Sequence, residues 1–146
     1  MHTDARKMKP PRLSEIMTRN PVTVRSDDPL RVATEVMRQH QCRRLPVVDG
    51  DKLVGIVSDR DVRLALNSPF IMRERREDQA LLDSVLIAAC MTPNPVTLAP
   101  DASVLDAVRV MHDRKFGGIP VVEGSRLVGI VTETDVLQCF INLLSE

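Results

Sequence analysis

The chain has 146 residues, enough for one compact domain or two very small ones, and its 43 % apolar and 27 % charged residues are ordinary for a soluble globular protein. Twenty basic residues cancel twenty acidic ones, so no overall field favours nucleic acid or an anionic membrane, and an aromatic content of 2 %, without Trp or Tyr, removes the platforms on which single-stranded bases stack. No apolar run approaches the roughly 20 residues of a membrane span, and three widely spaced cysteines, Cys42, Cys90 and Cys139, read as buried free thiols of a cytoplasmic protein.

The N-terminal MHTDARKMKPPRL has basic residues but no apolar segment behind them, so it does not form a secretory signal. Val22-Thr-Val24, after Pro21, is a short β-type run. Asp27-Asp28-Pro29 marks a helix start with proline in the first turn, and Leu30, Ala33 and Met37 then recur on one helical face. Leu45-Pro-Val-Val48 and Leu53-Val-Gly-Ile-Val57 are β-branched runs joined by Asp49-Gly50-Asp51-Lys52, a hairpin signal. A second helix starts near Ser58 and runs towards Asn67. The connection that follows carries a mixed charge run, Arg73 to Asp78, of the kind found on solvated faces, and Leu81 to Cys90 reads as a helix.

The pattern then starts again. A shift of 74 residues lays Met17 on Met91, and the chain matches itself without a gap to Val62 on Val136, with about 21 of those 46 positions identical. MTRNPVTV lies on MTPNPVTL, and LPVVDGDKLVGIVSDRDV on IPVVEGSRLVGIVTETDV. The second copy has its own short run, Val96-Thr-Leu98, a helical stripe of Val104, Ala107, Val108 and Met111, a turn at Glu123-Gly124-Ser125-Arg126 and a helix starting near Thr132. Each copy reads strand, helix, strand, strand, helix. A unit of about 50 residues buries too little surface to be comfortable alone, which predicts two copies packed together with a cleft between the halves.

Two short constellations carry chemistry. Ser58-x-x-Asp61 and Thr132-x-x-Asp135 each fit a capping box, with Asp in place of the more usual Glu. They also fit a nucleoside phosphate site: a helix N-terminus and a hydroxyl for phosphate, and an acceptor-only carboxylate for the hydroxyls of a ribose. Gly55 and Gly129 would leave the strand open to a flat base. The residue chemistry alone leaves both readings open. His2, His40 and His112 are far apart, which argues against a metal site, and no nucleophile elbow, Walker loop or GxGxxG is present.

The order of elements, the MTxNPVTV opening, the Leu/Ile-Pro-Val-Val strand and the G-I-V-S/T-x-x-D-V close resemble the CBS domain, named for cystathionine β-synthase. Two copies in tandem resemble the paired Bateman module. The resemblance covers residues 13–68 and 86–143, with 69–85 as the linker. It implies an α/β (α+β) fold of two βαββα repeats packed as a pseudo-two-fold pair, and no enzymatic activity. It further implies an adenosine-containing ligand (AMP, ADP, ATP or S-adenosylmethionine) held through Ser58 and Asp61 and through Thr132 and Asp135. In such modules the stretch before the central strand lies along the ligand. Here it is Arg43 and Arg44 in the first copy, suited to phosphate oxygens, and Gly117 and Gly118 in the second, which adds no charge. Ile56 and Ile130 are then candidate walls for the base. Ala33 and Ala107 are candidates to line the opposing half, and equally to be plain core.

The same resemblance implies a sensor that signals to an effector protein in trans, because the repeats consume nearly all of the chain, and a homodimer. Two rivals from other classes are a structural dimerisation module with vestigial sites and, less favoured by the neutral charge, a nucleic-acid binder.

Overall fold

The computed structural model describes residues 9–66 and 75–145, with 75–77 as backbone only. The expectations for His2, for the helix end near Asn67 and for the beginnings of the 69–85 linker and its charge run lie outside these residues. In chain order the elements are α1 (Leu13–Ile16), β1 (Thr18–Arg19), β2 (Val24–Arg25), α2 (Leu30–His40), β3 (Arg44–Asp49), β4 (Lys52–Ser58), α3 (Asp59–Leu66), α4 (Arg75–Ser84), β5 (Thr92–Pro93), α5 (Val104–Arg114), β6 (Gly118–Glu123), β7 (Arg126–Thr132) and α6 (Glu133–Leu144). This is a mixed α+β chain. It forms two compact units: Pro21–Pro95 with Ser125–Leu127 make the first, and Met1–Asn20, Val96–Gly124 and Val128–Glu146 the second.

In the first unit β3 and β4 form an antiparallel hairpin running from Asp49 opposite Lys52 to Arg44 opposite Ser58. Gly50, in its loop, has φ +65°, the left-handed conformation such a turn demands at low steric cost. β2 lies parallel to β3, Val24 beside Val47. The expected run at Val22 becomes regular strand only from Val24 onward. The stripe of α2 closes over these strands as its spacing predicts: Leu30, Ala33 and Met37 are buried with Val24, Leu45, Val47, Val57, Val62 and Ile87. Fully burying a side chain such as Leu30 contributes about 1.5–3 kcal/mol relative to exposure. Pro29 stands at the N-cap, just before the first turn rather than within it, with extended backbone at φ −69° and ψ 156°.

The linker departs further from expectation. Its helix is Arg75–Ser84, not Leu81 to Cys90. The chain is drawn out of helix after Ser84 because its backbone pairs with the start of α2: the Leu30 N–H donates to the Val85 carbonyl at 2.9 Å, and the Ile87 N–H to the Asp28 carbonyl at 2.8 Å. Ile87, fully buried, opens a single 3-10 turn through Ala89. Arg31 ties α4 to α2 by its Nε on the Asp83 carboxylate and its Nη2 on the Gln79 carbonyl.

The second unit repeats this plan with local differences. β6 and β7 pair around Gly124, whose φ is +63°. The Val96–Leu98 run forms no extended strand and makes only a parallel bridge between Leu98 and Val121. The α5 N-terminus is capped by Ser103, whose Oγ accepts the Leu105 N–H at 3.0 Å while Asp106 accepts the Ser103 N–H at 3.2 Å. Leu13, Met17, Ala107, Ile119, Val121 and Val131 form the core. Val108, expected on the apolar stripe, is exposed, and Val110 packs against the core instead.

The opening tetrapeptides have changed places. Thr18 and Arg19 of the first copy pair with Ile130 and Gly129 on β7. Thr92 and Pro93 of the second pair with Ile56 and Gly55 on β4. Each exchange is made at an Asn-Pro step, where Asn20 and Asn94 hold φ of 49° and 47°. Asparagine tolerates this left-handed conformation better than other residues with a Cβ. Replacing Asn94 by Val should therefore destabilise the protein by about 1–2 kcal/mol, read as a lower urea midpoint with an unchanged m-value. Conversely Lys115, the C-cap of α5, has φ +59°, and Lys115→Gly should stabilise by about 1 kcal/mol in the same assay.

Candidate functional site

Each unit carries one helix whose N-terminus meets the tip of a sheet, and the hydroxyl and carboxylate of the repeated motif sit at that junction. In the first unit the Ser58 N–H donates to Asp61 Oδ2 at 2.9 Å, and Ser58 Oγ accepts the Asp61 N–H at 3.1 Å. In the second the Thr132 N–H donates to Asp135 Oδ2 at 2.9 Å, and Thr132 Oγ1 accepts the Asp135 N–H at 3.3 Å. Both are reciprocal capping boxes, so the structural reading of the motif holds in both copies.

The helix ends are less open to an anion than the sequence alone implied. The Asp59 N–H is taken by the Arg43 carbonyl at 2.9 Å, and the Glu133 N–H by the Gly117 carbonyl at 3.1 Å. With the Asp61 and Asp135 amides bonded to the capping hydroxyls, much of the first-turn donor set is already used. Any phosphate held here therefore draws on side chains. The same bonds bring the stretch before the central strand to the site. Arg44 is the register partner of Ser58, Arg43 is exposed beside it, and Ser58 and Asp61 are half-buried. In the second unit the equivalent positions are Gly117, half-buried, and Gly118, buried, so the two ends differ by two positive charges. Asp59, in the first turn of α3, is engaged by Arg63 at 3.6 Å, an exposed i,i+4 pair.

Ile56 is half-buried on β4 opposite both Pro46 and Thr92, and Ile130 is buried on β7 opposite Thr18. Ala33 and Ala107 have no exposed surface and belong to the hydrophobic cores of their units. The expectation that Gly55 and Gly129 open the strand to a base is overturned. A Cβ at Gly55 would stand 2.5 Å from the Met91 sulphur and 2.9 Å from the Thr92 carbonyl; one at Gly129, 2.6 Å from the Met17 sulphur and 3.0 Å from the Thr18 carbonyl. These glycines admit the exchanged opening segment.

That segment brings a further residue, Thr18, to the second site. Thr18 Oγ1 lies 3.2 Å from Asp135 Oδ1 and 3.4 Å from Oδ2. The signal was available, since a threonine follows the first methionine in both copies, but its position beside an acid 117 residues away appears only in the fold. Cys42, Cys90 and Cys139 are free, but only Cys139 is buried as expected; Cys42 and Cys90 are half-buried. Burial pushes all three thiols up, and the charge of Asp61 adds to the effect at Cys90 and that of Glu15 at Cys139, which disfavours the reactive thiolate. Among the described residues, no three His, Cys, Asp or Glu side chains cluster as a metal site.

Comparison with known proteins agrees with this architecture. The CBS domain family matches twice, at residues 13–68 and 87–142. A CBS domain-containing protein of Dictyostelium discoideum is 35 % identical over 134 residues, spanning 90 % of this chain and 92 % of its own. An inosine-5′-monophosphate dehydrogenase of Korarchaeum cryptofilum is also 35 % identical, over 126 residues, but the match spans only 23 % of that enzyme. Among solved structures, CBSX2 in complex with AMP is 29 % identical with a TM-score of 0.75, covering 91 % of this chain and 98 % of that one. The CBS domain pair of another protein, in complex with 5′-methylthioadenosine and S-adenosyl-L-methionine, is 28 % identical with a TM-score of 0.76, covering 92 % and 99 %.

The glycine contacts make a prediction independent of any ligand. Gly55→Ala should destabilise the protein by about 1–3 kcal/mol, the usual range for overpacking, because the Thr92 backbone cannot retreat as the Met91 side chain can. Urea unfolding without nucleotide measures it, and a midpoint equal to that of the parent would refute the close contact.

Proposed function

This chain belongs to the CBS domain family, as a tandem pair, and we propose that it is a regulatory module that binds an adenosine nucleotide, or a related adenosyl compound, without chemistry. The observation that carries the proposal is that the backbone brings Arg43 and Arg44 alongside Ser58 and Asp61 at one tip of the first unit. The Asp61 carboxylate accepts from ribose hydroxyls, the Ser58 hydroxyl and the two guanidinium groups engage phosphate, and the apolar side of Ile56 borders the base. The AMP held by CBSX2 and the methylthioadenosine and S-adenosylmethionine held by another CBS pair support this ligand class. With glycines in place of arginines, the Thr132/Asp135 end of the second unit offers a phosphate no positive charge at these positions. Binding alters the module and an effector protein responds in trans, in the cytoplasm.

Thermal unfolding against AMP, ADP, ATP and S-adenosylmethionine at millimolar concentration tests this. A ligand at about a hundred times its dissociation constant adds roughly 2.7 kcal/mol, which for a chain of this length raises Tm by roughly 5–10 °C. Asp61→Ala should abolish the shift for the best nucleotide. Flat curves across the panel would contradict the proposal and favour a structural pairing module.

The homodimer is part of the proposal and draws on α6. Leu137, Phe140, Ile141 and Leu144 are 60 %, 57 %, 55 % and 70 % exposed and fall at i, i+3, i+4 and i+7, one continuous apolar stripe. Phe140→Glu should shift the sedimentation equilibrium from dimer to monomer. A parent protein that is monomeric at all concentrations would refute this surface as the interface.

A further inference from the structure

The two acids of the repeated motif, Asp61 and Asp135, occupy equivalent positions, yet their hydrogen bonding is not equivalent. Asp135 receives three protein donors: the Thr132 N–H at 2.9 Å, the Thr132 hydroxyl at 3.1 Å, and the Thr18 hydroxyl, which spans both carboxylate oxygens at 3.2 and 3.4 Å. Asp61 receives the Ser58 N–H. Thr92, the counterpart of Thr18, lies on β5 opposite Ile56 just as Thr18 lies on β1 opposite Ile130. Among the described residues, however, Thr92 makes no bond to Asp61. Among the described residues, one oxygen of Asp61 therefore has no protein donor, whereas both oxygens of Asp135 are already engaged.

We infer that Thr18 is a specificity-determining residue that closes the second unit to ribose, so that the chain binds one adenosine ligand per molecule, at Ser58 and Asp61. The inference rests on the proposed adenosine-binding function and deepens it. A carboxylate has a limited set of acceptor directions, and a ribose diol must present two hydroxyl donors to it. At Asp61 the diol meets an oxygen without a protein donor. At Asp135 it must first displace Thr18, and a hydrogen bond to a charged acceptor that is given up on binding lowers affinity by about tenfold or more. The charge difference acts in the same direction for phosphorylated ligands, since Gly117 and Gly118 stand where Arg43 and Arg44 do. The hydroxyl contact, in contrast, acts on neutral ligands as well, which separates the two effects.

The test is titration calorimetry of the whole chain with AMP and with adenosine, the latter carrying the diol without the phosphate. The parent should bind one equivalent per chain. Thr18→Val, which keeps the shape and deletes the donor, should bind two, the added site being recruited by at least about a tenfold gain in affinity; Thr18→Ser should remain at one. Thr18→Ala serves as a second deletion of the donor should valine disturb the edge pairing. In an Asp61→Ala/Thr18→Val double variant one site should remain, and it should disappear when Asp135→Ala is added. Two equivalents on the parent, or one on both donor-deleted variants with either ligand, would overturn the role of Thr18 and leave nucleotide binding standing. No heat of binding with any variant would overturn both.

Discussion

The arrangement depends on a close contact that only glycine permits. The Met91 sulphur occupies the space a Cβ would take at Gly55, the Met17 sulphur does the same at Gly129, and the adjacent threonine carbonyls press on the same points. These contacts seat the exchanged opening segments on β4 and β7, one residue pair from each candidate wall isoleucine and three residues before each capping hydroxyl. Without the exchange the edges of β4 and β7 would lack these partners, and Thr18 would not stand beside Asp135. The repeated G-I-V-S/T-x-x-D-V sequence is thus a seat for a strand as well as a helix start.

Under the proposed function the helix start itself has two uses that share the same atoms. The capping box consumes the Ser58 and Asp61 groups that face the backbone, and the carbonyl of Arg43 consumes the first amide of α3. Among the described residues, what these bonds leave is one carboxylate oxygen and a hydroxyl able to donate. A cap that is fully satisfied is also rigid, which is what a preorganised acceptor for a ribose requires. Structural and binding readings of the motif are therefore compatible, and under the proposed function ligand selectivity would pass to the residues around the cap: arginines or glycines on one side, a threonine hydroxyl on the other.

Much of this was legible in the residues because duplication places every local pattern in register twice. The α2 stripe of Leu30, Ala33 and Met37, the glycine turns at Gly50 and Gly124, and both capping boxes follow from spacing alone. What spacing does not encode is choice of partner. A two-residue strand such as Thr18–Arg19 fits β4 as well as β7 by composition, because the strands are nearly identical, and the selection is tertiary. The difference between Thr18 and Thr92 is invisible for the same reason: the residues match and only their hydrogen bonds differ. The linker helix ends earlier than its residue pattern predicts because backbone pairing with the start of α2 overrides local helical propensity at Val85 and Leu86. In the sequence Gly55 and Gly129 fit a ligand as well as a strand, because a missing side chain does not reveal what fills its place.

The most direct measurement is a titration of isotope-labelled protein with AMP, followed by backbone amide chemical shifts. The proposed site predicts saturable perturbations concentrated at Arg43, Arg44, Ile56 and residues 58–61, with small responses at Gly117 and Thr132. Perturbations absent at saturating AMP, or concentrated away from the Ser58/Asp61 tip, would contradict the account.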